Sequence, residues 1–438
     1  MAMFQSITFK VFGIAFLALL MLIPLAQVQG LIGERNRLRE QAVNSIAQRW
    51  GAVQSIGGPV IAVPRRTRVE SGNGWAVHES TEIILADRLD IAGTLAPEVR
   101  RYGMYSTPVY TAELKITGRF LARDLQMTPG IETSYVWERA ELRLPLSDVR
   151  GIRRISMLRL DGSEHAFVPA EAGVGTFPAI AAPVDLSHFD GDSHDFSVDL
   201  TLAGTASLSV LPLARTTEVS LSAPWRDPSF DGAFLPAERN VTNEGFAARW
   251  QVLDLNRNYG QHWQQYDRRG ADIAAAAFGV SLYEPASVYQ QNERAGKYGI
   301  LFIALTFVAF FLVEVLRKLR VHPVQYLLVG LALATFYVVL LALSEQIGFG
   351  SAYLAASGAV VVLVGGYAAA VLQAWRAGIV LGSTLAVVYA LLYGLVVSEQ
   401  YSLLMGSIAL LAVVATLMYL TRKVDWYAYG AARALAAG

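Results

Sequence analysis

The sequence predicts a membrane protein of about six transmembrane α-helices, one N-terminal and five C-terminal, joined by a large β-rich, sandwich-like periplasmic domain. Three observations predict it. Six apolar runs approach the twenty or so residues that a helix needs to cross a hydrocarbon core; one opens the 438-residue chain and five fill its last third. Between them lie roughly 265 mostly polar residues whose apolar positions alternate with period two, the strand pattern. Lys and Arg fall on alternate short loops only, the asymmetry that orients membrane proteins.

The first run, Val11–Val28, follows Lys10. It is longer than a signal-peptide core and no small-x-small site follows it, so it reads as an uncleaved anchor. Pro24 removes a backbone donor inside the run and is expected to bend the helix. From Gly30 to Trp50, apolar residues such as Leu31, Leu38, Ala42, Ile46 and Trp50 recur mostly at helical spacing, predicting that the span continues as a short amphipathic helix. Ser55-Ile56-Gly57-Gly58-Pro59 is expected to end it.

Beyond that point strands are predicted at 82–85, 89–95, 109–120, 133–146, 152–160, 196–202, 206–211, 218–221, 246–253 and 278–283. Turn chemistry separates several of them, as at Ser71-Gly72-Asn73-Gly74 and Asp161-Gly162. The alternation is cleanest at Tyr110–Ile116, with Tyr110, Ala112, Leu114 and Ile116 on one face and Thr111, Glu113 and Lys115 on the other. A helix is plausible at Ala271–Ala277, and the Gly/Ala/Pro-rich stretch Ala170–Pro183 reads as a candidate linker. The last five runs are Tyr298–Leu316, Val324–Leu343, Ser351–Leu372, Gly378–Val397 and Leu403–Leu420. The predicted division is an N-terminal anchor at 1–30, a periplasmic β-rich domain of one or two subdomains at 31–297, a five-helix bundle at 298–420 and a cytoplasmic tail at 421–438.

Six spans put both termini on one side. Arg317, Lys318, Arg320, Arg376, Arg422, Lys423 and Arg433 mark that side as cytoplasmic, whereas the two alternating short loops carry only Glu345 and Glu399. The expected location is therefore the inner membrane, multi-pass, with Gly30–Lys297 in the periplasm. Tyr298, Tyr326, Tyr353, Trp375, Tyr401, Trp426 and Tyr427 fall near span ends and suit the headgroup layer.

The whole chain has no net charge, and the large loop holds 28 Lys/Arg against 32 Asp/Glu. Such a mixed surface offers no basic stripe for nucleic acid. With no cysteine, thiol catalysis, disulfides and Cys-ligated metals are excluded. No Gly-x-Ser-x-Gly elbow, phosphate-binding loop or His-Glu-x-x-His pair occurs. The expectation is no catalytic residue, no cofactor and no metal. The expected partners are the lipid bilayer and periplasmic or inner-membrane envelope proteins, with the oligomeric state left open.

Long ordered strings carry a family resemblance. They include Lys297-Tyr298-Gly299-Ile300-Leu301-Phe302, His322-Pro323-Val324-Gln325-Tyr326-Leu327-Leu328-Val329-Gly330 and Leu343-Ser344-Glu345-Gln346-Ile347-Gly348-Phe349. In the large loop, Pro228-Ser229-Phe230-Asp231-Gly232-Ala233-Phe234-Leu235-Pro236, after Trp225, and Ser147-Asp148-Val149-Arg150-Gly151-Ile152 add to them. Over nearly its whole length the chain resembles the CreD family of inner-membrane proteins. Gln346 and Asp227 stand where that family often has His, and Tyr102-Gly103-Met104-Tyr105 where it has Arg-Gly-Ile-Tyr. The resemblance implies a link to envelope integrity and to a two-component regulon associated with β-lactam response and colicin tolerance. It brings no catalytic residue or ligand.

Three polar positions stand out in or beside the spans, where ionisable groups are costly and often functional. Glu314 precedes Arg317 and Lys318 by three and four residues, so it reads either as a boundary carboxylate paired with them or as a working intramembrane acid. Glu345 closes the outer end of the third span and reads as a structural turn or a cation relay. His322 with Pro323 reads as a helix start, or as a contact for lipid phosphate or a cytoplasmic partner. Asp185–Asp195 holds four Asp and two His, legitimate metal-ligand types, but its spacing fits no calcium loop, and it reads as a solvated turn. Ala352, Ala355, Ala356, Ala359, Gly365 and Gly366 favour close helix packing.

Three functions remain open: a non-enzymatic envelope protein whose periplasmic domain binds or senses an envelope component, a transporter or lipid-handling protein, and a periplasmic enzyme with a scattered site. A polar cavity between the spans favours the second, and converging His and carboxylates in an outer cleft favour the third.

Overall fold

The computed structural model describes residues 7–71, 74–126, 133–188, 191–265, 270–282, 288–316, 321–371, 373–398 and 401–422. The chain divides into two compact units: a helical one of Met1–Arg39 with Ala286–Gly438, and a β one of Glu40–Pro285.

Helix α1 (Ile7–Leu20) is followed at once by α2 (Leu22–Trp50). The interruption at Met21 lies one turn before Pro24, whose missing N–H leaves the carbonyl of Leu20 without its helical donor. The first run continues into the helix expected over Gly30–Trp50; where a short amphipathic helix was expected, α2 spans 29 residues. It stops at Gly51, ahead of the expected Gly-Gly-Pro signal. Gly51 has φ 140° and packs on Ala203, whose carbonyl oxygen lies 2.5 Å from where a Cβ would stand, so only glycine fits the exit.

The β unit begins at β1 (Gln54–Ile56) and continues with two long hairpins, β2 (Val60–Ser71) with β3 (Gly74–Ile84) and β4 (Ala86–Tyr102) with β5 (Tyr105–Leu121). The single turn α3 (Ala122–Leu125) leads to β6 (Thr133–Tyr135) and β7 (Ala140–Pro145), then to the short strands β8 (Ile152–Ile155), β9 (Leu158–Leu160), β10 (Ser163–His165) and β11 (Val168–Pro169). There follow β12 (Ala179–Val184), β13 (Ser193–Thr205), β14 (Ser207–Val210), β15 (Ala214–Ala223), β16 (Pro228–Gly232), β17 (Glu238–Val241), β18 (Phe246–Leu253) and β19 (His262–Gln264). Helix α4 (Gly270–Ala275) and β20 (Phe278–Leu282) close the unit.

These strands form three sheets. A nine-stranded sheet runs β10-β9-β13-β5-β4-β15-β18-β17 with β8 on β13; a seven-stranded one runs β11-β12-β7-β2-β3-β19 with β6 on β2; a four-stranded one runs β1-β14-β20-β16. Pairing is antiparallel except at β4–β15 and β1–β14. Alternate residues of all three sheets, among them Ile61, Ile84, Ile116, Val198, Trp250, Leu208 and Val280, meet in one apolar core. The β-rich character matches the sequence, and among the described residues the sheets number three.

The stretch read as a linker is instead structural. β12 pairs along its length with β7, and Ala181 and Ala182 are fully buried, because small residues let this strand pack under its neighbours. The continuous strand expected at 133–146 is broken by a 3-10 turn at Trp137–Arg139.

The C-terminal helices are α5 (Val288–Lys297), α6 (Gly299–Leu316), α7 (Pro323–Ile347), α8 (Phe349–Val371), α9 (Trp375–Val397) and α10 (Ser402–Thr421). The sequence left 288–297 in the extramembrane domain; it is a helix that meets α6 at a 46° bend, with Tyr289, Asn292 and Gly296 buried along one face. Among the described residues four helices are long and apolar enough to cross a membrane, with Lys10–Trp50 taken as one, or five if the bent pair is one span, and Leu403–Tyr419 is a shorter apolar helix. Where α8 meets α9, a Cβ on Gly378 would fall 2.6 Å from the carbonyl oxygen of Gly365 and 2.5 Å from Ala369 Cβ, the close approach that small residues permit. Tyr326 and Tyr353, read as headgroup aromatics, are buried; Tyr353 donates to the carbonyl of Tyr389 at 2.8 Å. Trp375 and Tyr401 are exposed as expected, and Trp426 and Tyr427 lie outside the described residues.

Candidate functional site

Two places concentrate chemistry: the carboxylates of the helical unit, and one face of the nine-stranded sheet.

Glu314, near the end of α6, is 3% exposed. Its Oε2 accepts from Tyr326 Oη at 2.8 Å, and its Oε1 accepts from the backbone N–H of Val321 at 2.8 Å and pairs with Lys10 Nζ. The acid therefore joins α1, α6 and α7. The sequence offered Arg317 and Lys318 as its partners, and both lie outside the described residues; Lys10, more than three hundred positions away, gave no local signal. Glu345 of α7 accepts from Tyr289 Oη at 3.1 Å and lies 3.8 Å from Arg35 Nε. Beside it, Asn292 Nδ2 donates to Ser344 Oγ at 2.9 Å. The two pairs hold the N-terminal helices to the C-terminal ones. Lys10 and Arg35 are about 37 Å apart along the helix path at 1.5 Å per residue, slightly more than a hydrocarbon core of about 30 Å.

His322 caps α7. Its Nδ1 accepts from the N–H of Val324 at 3.3 Å, and its own N–H donates to Gln325 Oε1 at 2.9 Å, with Pro323 in the first turn. The Asp/His-rich stretch disperses: Asp185 closes a turn with Ser187, and His194 points inward to Asp161, Nδ1 to Oδ2 2.5 Å. Among the described residues, no three His, Asp or Glu gather as metal ligands.

The strings that carried the family resemblance in the large loop prove architectural. Phe230, on edge strand β16, sets its ring edge-on to Phe246 and Trp250, each at 5.8 Å, and Phe234 does the same to Phe278. Gly232, at φ 106°, allows the chain to pass over Ala277. Asp148 accepts from the N–H groups of Ala52 and Arg150 and forms an ion pair with the Arg150 guanidinium, which holds its carboxyl below the usual range. Gln54 Nε2 donates to the carbonyls of Asp148 and Ala203. This network seats the chain as it leaves α2.

A second charged cluster is also self-satisfied. Arg215 binds Asp124 at 3.1 Å and Asp87 at 3.2 Å, with Asp254 at 3.6 Å. Burial pushes nearby His262 below its ordinary value and the Tyr259 hydroxyl up to about 12.

The exposed face of the nine-stranded sheet differs. It encloses a groove of about 1000 Å³, and a cavity of about 370 Å³ continues it past Ser222 and Thr94 towards Pro224 and Thr242. Strand register sets its chemistry. One cross-strand row reads Glu238, Arg249, Ser220, Ala92, Lys115, Asp199. The adjacent row reads Asn240, Ala247, Ser222, Thr94, Glu113, Thr201, Arg154. The central strands β15 and β4 thus supply a floor of small side chains, and the flanking strands supply walls of both signs. Elsewhere on this unit several surface cations pair with a neighbour, as Arg88 does with Asp90 and Glu218 and Arg66 with Glu79. Among the described residues, none of Glu113, Lys115, Arg154, Asp199, Glu238 and Arg249 forms a salt bridge, and the hydroxyls of Thr94, Ser220 and Ser222 make no hydrogen bond. The sequence showed Glu113 and Lys115 only as a polar strand face; that β4 and β15, remote in sequence, lie side by side was not legible.

The profile of the family described as inner membrane protein CreD matches residues 6–427. The inner membrane protein CreD of Escherichia coli strain K12 is 33% identical over 417 residues, covering 94% of this chain and 92% of its own length. Among solved structures, an M1 zinc metallopeptidase from Deinococcus radiodurans is 12% identical and covers 38% of this chain and 39% of its own, with a TM-score of 0.21; a likeness that weak carries no argument.

Proposed function

The chain belongs to the CreD family of inner-membrane proteins, and from that premise we propose that it is a non-enzymatic envelope-integrity protein whose β unit lies in the periplasm and binds or senses an envelope component. The observation that carries this reading is the groove, with its uncommitted charges and hydroxyls. A face whose polar groups satisfy one another has nothing to offer a ligand; this one has seven charged side chains, Arg239 among them, and the hydroxyls of Thr94, Thr201, Ser220 and Ser222 to offer. No His lines it, and the chain has no Cys, so the lining supplies neither a His-based catalytic pair nor soft metal ligands. This favours binding over catalysis.

The orientation rests on the loop charges: Arg376 beside Gln373 marks the cytoplasmic side, and the bundle is anchored with both termini there. The transporter reading has less support. A cavity lined by Leu305, Phe310, Leu381 and Val388 between the helices is about 10 Å³, room for one water at most, and the buried Glu314 is already paired. The envelope role and the regulon link are carried by the family.

The chain's lack of cysteine permits a direct test. Leu255→Cys, at a site 88% exposed in the β unit, is labelled by a membrane-impermeant maleimide in intact spheroplasts. Gln373→Cys is labelled only after the membrane is opened. The reverse pattern overturns the placement. Deleting the β unit abolishes the envelope phenotype; a truncate of full activity removes the binding role.

A further inference from the structure

We propose that the groove binds an extended polypeptide segment that presents an acidic and a basic side chain two residues apart. The proposal rests on the reading of the groove as a ligand site and adds the class of ligand.

The geometry sets the shape. From β18 to β5 the floor spans three strand spacings, about 14 Å at roughly 4.8 Å each, and the Arg249 and Lys115 side chains narrow it from both sides. That width takes one extended chain. The companion cavity lengthens the groove along the strand direction, as a linear ligand requires. The free hydroxyls of Thr94, Ser220 and Ser222 lie along the floor, where a polypeptide backbone presents its N–H and C=O groups to be bound.

The charges set the sequence. In the first row Arg249 and Lys115 face each other across Ser220 and Ala92, a place for an acid. In the second row Ala247 is uncharged and Glu113 stands across Ser222 and Thr94, a place for a base. Lys115 and Glu113 are two residues apart on β5, so the two places are about 7 Å apart, the same interval at which an extended chain repeats side chains on one face. No aromatic ring lines the floor to stack on a sugar. The charge pattern therefore complements an extended peptide, and a neutral glycan would leave these charged side chains unanswered.

The test uses the full-length protein in lipid nanodiscs and fluorescein-labelled peptides of equal length. One repeats Glu-Ser-Lys-Ser, one Glu-Ser-Glu-Ser and one Lys-Ser-Lys-Ser; binding is read by anisotropy. The mixed peptide binds tightest, by about tenfold, the effect of one well-placed charge contact. Glu113→Lys, which leaves only cations facing the floor from β18 and β5, transfers the preference to the all-acid peptide. Lys115→Glu with Arg249→Glu transfers it to the all-basic one. All three positions are exposed, and circular dichroism confirms that the variants are folded. The proposal fails if the three peptides bind alike, if the charge reversals leave the ranking unchanged, or if an unlabelled chitin oligosaccharide displaces the probe as well as unlabelled peptide does. Maleimide labelling at Leu255→Cys reports the placement of the β unit separately. A wrongly placed unit with the expected peptide ranking overturns the periplasmic reading alone, and a correctly placed one without that ranking overturns this inference alone.

Discussion

Lys10→Met isolates what the ion pair of the helical unit contributes. The substitution preserves side-chain length and removes the cation beside Glu314, which is 3% exposed, with Tyr326 and Val321 still donating to it. Removing one partner of a buried pair costs about 3–5 kcal/mol. The Lys10 side chain is 32% exposed, so solvent screening lowers the expected loss to about 2–3 kcal/mol. Glu314→Gln behaves differently. An amide oxygen still accepts from Val321, the amide N–H₂ donates to the Tyr326 hydroxyl, and the freed Lys10 extends towards water, for a cost of about 1 kcal/mol. The double variant carries no uncompensated charge and is expected to lose only about 1 kcal/mol, so it is more stable than Lys10→Met alone by about 1–2 kcal/mol. Reversible SDS titration of the three variants in mixed micelles reads these differences. A double variant no more stable than Lys10→Met, or a Lys10→Met protein indistinguishable from the parent, would refute the reasoning.

Three further outcomes follow from the packing. Gly151→Ala places a methyl 2.3 Å from Gln54 Nε2 and 2.4 Å from the carbonyl oxygen of Ala203; it displaces Gln54 from both acceptors and destabilises the β unit by roughly 2–4 kcal/mol in urea unfolding followed by tryptophan fluorescence. Asp148→Asn gives a pH-dependent loss. The folded carboxyl titrates below its unfolded value, so its contribution is present above about pH 4 and vanishes as pH falls through the folded value; the deficit of roughly 1–3 kcal/mol at pH 7 shrinks in acid until the two proteins unfold alike. Gly378→Leu drives α9 off α8 and lowers the thermal midpoint of detergent-solubilised protein, at a cost of about 1–3 kcal/mol; the same change at Gly366, whose Cβ would meet nothing within 4 Å, leaves the midpoint in place.

What the sequence revealed followed the range of the forces involved. Apolar runs and strand alternation are local signals, and they located the anchor, the later helices and most long strands. The helix at α4 and the capping role of His322 were also local and legible. Signals that depend on distant partners were not. Ala179–Val184 has the composition of a linker, and only its pairing with β7 makes it core. Tyr326 has the composition of an interfacial aromatic, and its burial comes from α6, whose Glu314 accepts its hydroxyl and whose Phe307 and Phe310 meet its ring edge-on. The groove is the extreme case: each of its strands shows an ordinary polar face, and the trough exists because β15 returns parallel to β4.

That return has a cost in time. Residue 86 cannot meet its partner at 214 until the intervening chain has emerged, and β14 lies between β1 and β20, the first and last strands of the unit. At about 5–20 residues per second, an early hairpin waits on the order of ten seconds or more with its edges unpaired. Assembly from such remote pieces is slow in its own right. A nascent copy of this protein thus carries unpaired strand edges for the length of that wait, and its exposure to edge-to-edge aggregation scales with the interval.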